Sequence, residues 1–154
     1  MKLIEFKNLS KNYGNKKALI DVNLEIESGK IYGLLGPNGS GKTTMIKIIN
    51  DLLQPSSGEI LINGKEPGID SKKIISYLPE RTYLNMNMKV LELINFFKDF
   101  YQDFDEEKAL NLLKKLKINK QDKLKNMSKG TKEKVQLVMV MSRRADLYIL
   151  DEPI

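Results

Sequence analysis

Two short stretches of this chain hold residue types and spacings that can do chemistry. The first is "GPNGSGKT", Gly36 to Thr43, which fits a pattern of Gly, four residues, Gly, Lys and Ser or Thr. Gly36, Gly39 and Gly41 can adopt backbone angles closed to other residues, and they carry no side chain to block a phosphate. Successive amide N–H groups of such a loop curve into an anion nest that ends at a helix N-terminus, where the helix dipole favours negative charge. Lys42 can reach terminal phosphates as a compact cation, and the Thr43 hydroxyl can ligate Mg²⁺. A glycine-rich turn could match by chance. The context argues against that, because an apolar strand-like run precedes the loop and a helical pattern follows it.

The second stretch is "LYILDEP", in which a short apolar run from Leu147 to Leu150 delivers Asp151 and Glu152. Two adjacent acids at a strand end bring no structural benefit and a clear desolvation cost. Metal holding and activation of water are the chemistry that justifies them. The chain has no histidine, so acid–base work falls to carboxylates, and no cysteine, which excludes disulfides and thiolate metal sites.

The surrounding pattern supplies elements to position these groups. "LIEFKNL" alternates, "NYGN" breaks, and "ALIDVNLEIE" sets Val22, Leu24 and Ile26 on one face opposite Asn23, Glu25 and Glu27. "IYGLL" reads as a short buried strand leading into the phosphate loop, and "KTTMIKIINDLL" as an amphipathic helix. "EILING" and "KIISYL" read as two further strands. The character then changes. Apolar residues at Val90, Leu93, Ile94, Phe97, Phe100, Tyr101 and Phe104, then at Ala109, Leu112, Leu113 and Leu116, keep the three-and-four spacing of two packed helices. Asp103 or Asp105 would cap the second. The aromatic stripe reads as core, with a partner surface as the alternative. "SKGTKEKVQLVMVMSRR" opens on Ser128 and becomes a mostly buried helix.

Length and charge set outer bounds. The 154 residues are enough for one domain, and no apolar stretch approaches the roughly 20 residues that cross a bilayer. The N-terminus lacks the apolar block of a signal peptide. Net charge is +6, from scattered lysines that are densest in Lys114–Lys125 and Lys129–Lys134. A solvated helix face is the plain reading of these patches, and contact with nucleic acid or anionic lipid is the sharper one.

Together with the phosphate loop, four further segments, in matching order, resemble the nucleotide-binding subunits of ATP-binding-cassette (ABC) transporters. "KNYGNKKAL" is similar to the family's adenine-stacking loop, with Tyr13 as the aromatic platform in a turn; a sheet residue is the alternative reading of this tyrosine. "ISYLPE" stands where the family has its glutamine loop, although this chain has Glu80 there, as in exporter-type members with "YLPE". "NMSKGTKEK" resembles the signature Leu-Ser-Gly-Gly-Gln. Ser128 and Gly130 match it, while Met127, Lys129 and Thr131 depart from it. "LYILDEP" completes the set. The resemblance covers essentially the whole chain.

It implies an α/β P-loop NTPase with a mainly parallel core sheet, an N-terminal antiparallel β region and a helical insert over about 86–142, within one domain spanning 1–154. It implies ATP and Mg²⁺ as cofactors. Nucleotide contacts would come from Tyr13, Gly36, Pro37, Asn38, Gly39, Ser40, Gly41, Lys42, Thr43 and Thr44. Thr43, Glu80 and Asp151 would serve the metal, and Glu152 and Lys42 the hydrolysis. Ser128, Lys129 and Gly130 would face the ATP of a second copy in a homo- or heterodimer. The remaining partner would be a transmembrane permease, with no nucleic acid expected, and the location cytoplasmic, on the inner face of the cell membrane.

Two other readings stay open: a soluble cassette ATPase acting on nucleic acid or ribosomes, and a cassette that binds ATP without turnover. The second follows from the family pattern, which continues beyond this motif with a further sheet strand and a histidine that contacts the γ-phosphate. Without that strand, unpaired backbone groups would each cost about 1–3 kcal/mol if buried. The 154 residues alone are therefore expected to be incomplete at the C-terminus, to aggregate, and to hydrolyse ATP poorly. Robust Mg²⁺-dependent turnover by the purified chain, abolished by Glu152→Gln, would contradict that expectation.

Overall fold

The computed structural model describes residues 1–81 and 84–152. They fall into two compact units, Met1–Ile75 and Ser76–Ile154.

The first unit is built on two long strands, β1 (Lys2–Tyr13) and β2 (Lys16–Glu27), joined by a tight turn. Gly14 takes that turn with φ 57°, which costs a residue without Cβ little. β1 pairs antiparallel with β2 on one side and with β3 (Ser57–Ile62) on the other, giving the order β2–β1–β3. Leu3, Ile4, Phe6 and Leu9 of β1 are buried, as are Ile60 and Ile62 of β3. In β2, the expected alternation appears as half-buried Val22, Leu24 and Ile26 against exposed Asn23 and Glu25.

Helix α1 (Lys42–Ile49) buries Ile46, Ile48 and Ile49. It stops at Asn50, whose side-chain amide donates to Ile46 O at 2.9 Å, and Asp51 turns out with φ 55°. The expected continuation through "DLL" is therefore cut short. The expectation for "IYGLL" fails outright. Ile31 and Leu35 are fully exposed, and the segment lies outside both sheets. An extended run of apolar residues needs a hydrogen-bonded neighbour to become a sheet strand, and among the described residues it has none. "KIISYL" also divides, into a short helix α2 (Ile69–Ile74) and a strand β4 (Ile75–Leu78).

The second unit is mainly helical. Helix α3 (Val90–Phe100) starts with its first free N–H groups satisfied by the chain itself: Val90 N donates to Asp122 O at 3.1 Å and Leu91 N to Lys120 O at 2.9 Å. The Glu92 carboxylate accepts from Lys89 N at 2.7 Å. In α4 (Glu106–Lys115) the cap is Asp105, whose side chain accepts from Lys108 N at 3.0 Å. That bond, and then the neighbouring Arg144 guanidinium, holds the Asp105 carboxyl below its ordinary value.

Helix α5 (Lys129–Met141) completes a core of Val90, Leu93, Ile94, Ala109, Leu113, Leu124, Val135, Val138 and Met139. Phe97 and Phe104 pack against it. Phe100 does not: it is exposed and stacks with exposed Phe96 at 6.0 Å, so the aromatic stripe is core only in part.

Strand β5 (Leu147–Leu150) pairs with β4 in a two-stranded parallel sheet. The turn before β5 is fastened by Arg143, which is buried and grips Asp103 through two bonds of 3.0 and 3.1 Å. Its guanidinium stands 4.0 Å from the centroid of the Tyr101 ring, and the Tyr148 hydroxyl donates to Arg143 O. Asp103, the other candidate cap, is thus committed to this clamp.

Gly58 shows where the first unit is least forgiving. Its φ is 76°, and an added Cβ would stand 2.2 Å from Asn8 O and 2.6 Å from Leu9 Cα. Gly64 has nearly the same φ, 75°, but open space around it. Gly64→Ala should cost about 1 kcal/mol, the left-handed penalty alone. Gly58→Ala should cost about 3 kcal/mol or more, because the β1–β3 pairing must also move. Urea unfolding of the two variants measures the difference.

Candidate functional site

The phosphate loop belongs to the first unit and is shaped by backbone. Ser40 N donates to Pro37 O at 3.1 Å, closing a turn through Asn38 and Gly39. Gly39 has φ 83°, and Gly41 has φ 99° at the N-cap of α1. No side chain caps that helix, so its leading N–H groups face outward for an anion. Gly41 also lies tight against β2: a Cβ there would stand 2.5 Å from Ala18 O and 2.9 Å from a Leu19 methyl.

Gly36 corrects the sequence-based expectation. Its φ is not in the left-handed region, and a Cβ there would meet Ser40 Oγ at 2.7 Å, the end of a side chain that can turn aside. The Lys42 ammonium donates to Gly36 O and, at 3.1 Å, to Pro37 O. It therefore lies across the loop rather than out in solvent. Thr43 is exposed and Thr44 half-buried in the first turn of α1.

Tyr13 joins this group. It is the last residue of β1 rather than part of the turn, which begins at Gly14. Pairing with Lys16 keeps it in the sheet. Its hydroxyl is 3.4 Å from Thr44 Oγ1, so the aromatic ring is tethered to the helix that carries the loop.

The carboxylates belong to the second unit. Asp151 is buried, and its backbone N–H donates to Leu78 O at 2.9 Å, extending the β4–β5 ladder by one residue. Glu152 follows with φ 47°, a left-handed backbone conformation, and is exposed. Glu80 lies exposed two residues beyond β4. Burial first, and then the charges of Asp151 and Glu80, push the Tyr77 phenol above its ordinary value. Both carboxylates therefore act on the same short stretch of β4.

Ser128, Lys129 and Gly130 form the exposed start of α5. Ser128 Oγ accepts from Thr131 N at 3.2 Å and pairs with Thr131 Oγ1 at 2.9 Å. Thr131 thus adds a second hydroxyl at this helix start. The backbone around Gly130 is open, with nothing within 4 Å of an added Cβ.

Among the described residues, no group of three or more carboxylates could hold a metal ion unaided. A hydroxyl, one or two carboxylates and phosphate oxygens are nevertheless what Mg²⁺ uses, and Thr43 and Asp151 are of those types. No helix of the described residues is long and apolar enough to cross a membrane. Sequence reasoning overlooked Lys11. Residues i and i+2 of a strand share a face, and Lys11 stands two before Tyr13.

Known proteins resemble this chain in sequence and in fold. The ABC transporter family model matches residues 19–154. An ABC transporter ATP-binding protein of Methanocaldococcus jannaschii is 38% identical over 97% of this chain and 56% of its own length. The SkfA peptide export ATP-binding protein SkfE of Bacillus subtilis is 36% identical over 99% of this chain and 66% of its own. A solved ATP-binding subunit of an ABC transporter superposes with a TM-score of 0.87 at 31% identity, over 98% of this chain and 66% of that one. The chain thus spans between about half and two thirds of the length of these relatives.

Gly41→Ala tests the loop. An alanine must take φ 99° and displace the Ala18 carbonyl, so binding of inorganic tripolyphosphate should weaken at least about tenfold by isothermal calorimetry. Gly39→Ala, with open space at φ 83°, should weaken it less.

Proposed function

Because the chain belongs to the ABC transporter family, we propose that it binds Mg·ATP at the Gly36–Thr44 loop and serves as the ATP-hydrolysing subunit of a membrane transporter. The observation that carries this reading is the loop itself. Left-handed glycines at 39 and 41 lead into an uncapped helix, with the Lys42 ammonium lying across them. Anionic phosphates are the ligand such a set of N–H donors recognises.

Each further role is assigned on residue chemistry. Tyr13 takes the adenine ring. Asn38, Gly39, Ser40 and Gly41 supply backbone N–H donors to the phosphates, Gly36 and Pro37 shape the nucleotide loop through carbonyls that accept from Lys42, and Thr44 adds a hydroxyl. Thr43 and Asp151 hold Mg²⁺, with Glu80 as an outer oxygen ligand; the ion, when bound, neutralises phosphate charge. Glu152 orients or deprotonates the attacking water, and its exposure leaves it accessible for that work. Phosphoryl transfer to water needs little covalent help, so positioning by Lys42 and the amide donors accounts for most of the catalysis.

Ser128, Lys129 and Gly130 reach the ATP of a second copy, through the open start of α5. Both units belong to one cassette domain with a helical insert over about 86–142. The partner is a transmembrane permease, and the site of action is the cytoplasmic face of the membrane. Support for the transport role comes from SkfE, whose name specifies peptide export.

A thermal-shift titration tests binding and folding together. Mg·ATP at a hundredfold excess over Kd should raise stability by about 2.7 kcal/mol, visible as a higher melting temperature. Lys42→Ala should remove most of the shift, while Glu152→Gln should keep it. An unchanged melt of the unsubstituted chain contradicts the proposal.

A further inference from the structure

The end of β1 is fastened to α1 and to the segment between α1 and β3 by bonds beyond the strand ladder. Asn12 N donates to Ser56 Oγ at 2.9 Å, and Ser56 N donates to Ser10 O at 2.8 Å. The Lys11 ammonium donates to Gln54 O at 2.8 Å and stands 5.5 Å from the centroid of the Tyr13 ring. At the other end of that ring, the hydroxyl meets Thr44 Oγ1 at 3.4 Å. Tyr13 is thereby tied to the first turn of α1 through Thr44. Through Lys11 it is tied to the loop that follows the same helix. Because the phosphate loop forms the N-terminus of α1, these contacts set the reach from ring to phosphates.

We propose that Lys11 is a positioning residue for the nucleobase. It fixes the Tyr13 ring relative to the phosphate loop and draws electron density from that ring. A ring has two faces. One carries the ammonium, while Tyr13 remains 46% exposed and can offer the other to an electron-rich purine. A lysine serving only solubility would leave its ammonium in water; this one is spent on a backbone carbonyl and an aromatic face. The inference rests on the proposed binding of ATP at the phosphate loop.

The test compares two ligands on the full chain, Mg·ATP and Mg·tripolyphosphate, by isothermal calorimetry. Tripolyphosphate carries the anionic part of the ligand without the base. Lys11→Met keeps the apolar stem and removes the charge. It should weaken ATP binding about threefold and leave tripolyphosphate unchanged. Lys11→Arg should restore ATP binding, since a guanidinium also lies on aromatic faces.

Equal weakening of both ligands by Lys11→Met overturns the proposal, because the lysine then acts as a distant charge. No change with either ligand overturns it too, as does failure of Lys11→Arg to restore ATP binding. If the unsubstituted chain binds tripolyphosphate as tightly as ATP, the base platform fails while the phosphate loop stands. If it binds neither, the reading of the loop fails and this inference falls with it.

Discussion

The absence of a side chain at residue 41 is the constraint on which the phosphate loop depends. The helix N-terminus must come close to β2 for the loop to be held against the sheet, and the Ala18 carbonyl leaves no room for a Cβ there. A left-handed φ at the same residue swings the preceding chain over the first turn of α1. The turn into α1 depends on that contact. A chain with alanine at 41 could keep every other residue of the motif and still lose its geometry.

The carboxylates obey a different logic. Asp151 is buried, and its backbone N–H is held by a ladder bond to Leu78 O, so strand pairing sets where this acid stands. β5 is short and only half-buried, yet the turn before it is clamped by Arg143, Asp103 and Tyr148. Removing Asp103 would take the paired carboxylate from the buried Arg143 guanidinium, which costs more than the bond itself. The helices frame the clamp: Asp103 lies between α3 and α4, and Arg143 stands just beyond α5.

Local pattern made much of this legible. The period of three and four marked α3 and α4, alternation marked β2, and Ser128 and Asp105 capped the helices as their residue types require. The phosphate loop was legible because its mechanism demands particular residues at particular spacings. What pattern could not disclose was pairing. "IYGLL" has every intrinsic property of a buried strand and lies exposed, since a strand is defined by its neighbours. Ile74 was read into a strand and instead closes α2. Gly36 was read as needing both unusual backbone angles and a missing side chain, and its φ is not left-handed. The Arg143 clamp joins residues 40 positions apart, beyond the reach of any periodicity.

The posture of Lys42 has a thermodynamic consequence. A free lysine side chain carries about 2 kcal/mol of rotamer entropy, which an anion must quench when it recruits the ammonium. Here the side chain is already ordered across Gly36 and Pro37 by bonds to their carbonyls. A phosphate that recruits it exchanges one pair of oxygen acceptors for another, with little further loss of freedom. The gain then comes from stronger, charge-assisted bonds to the phosphate than to neutral carbonyls, added to order already in place.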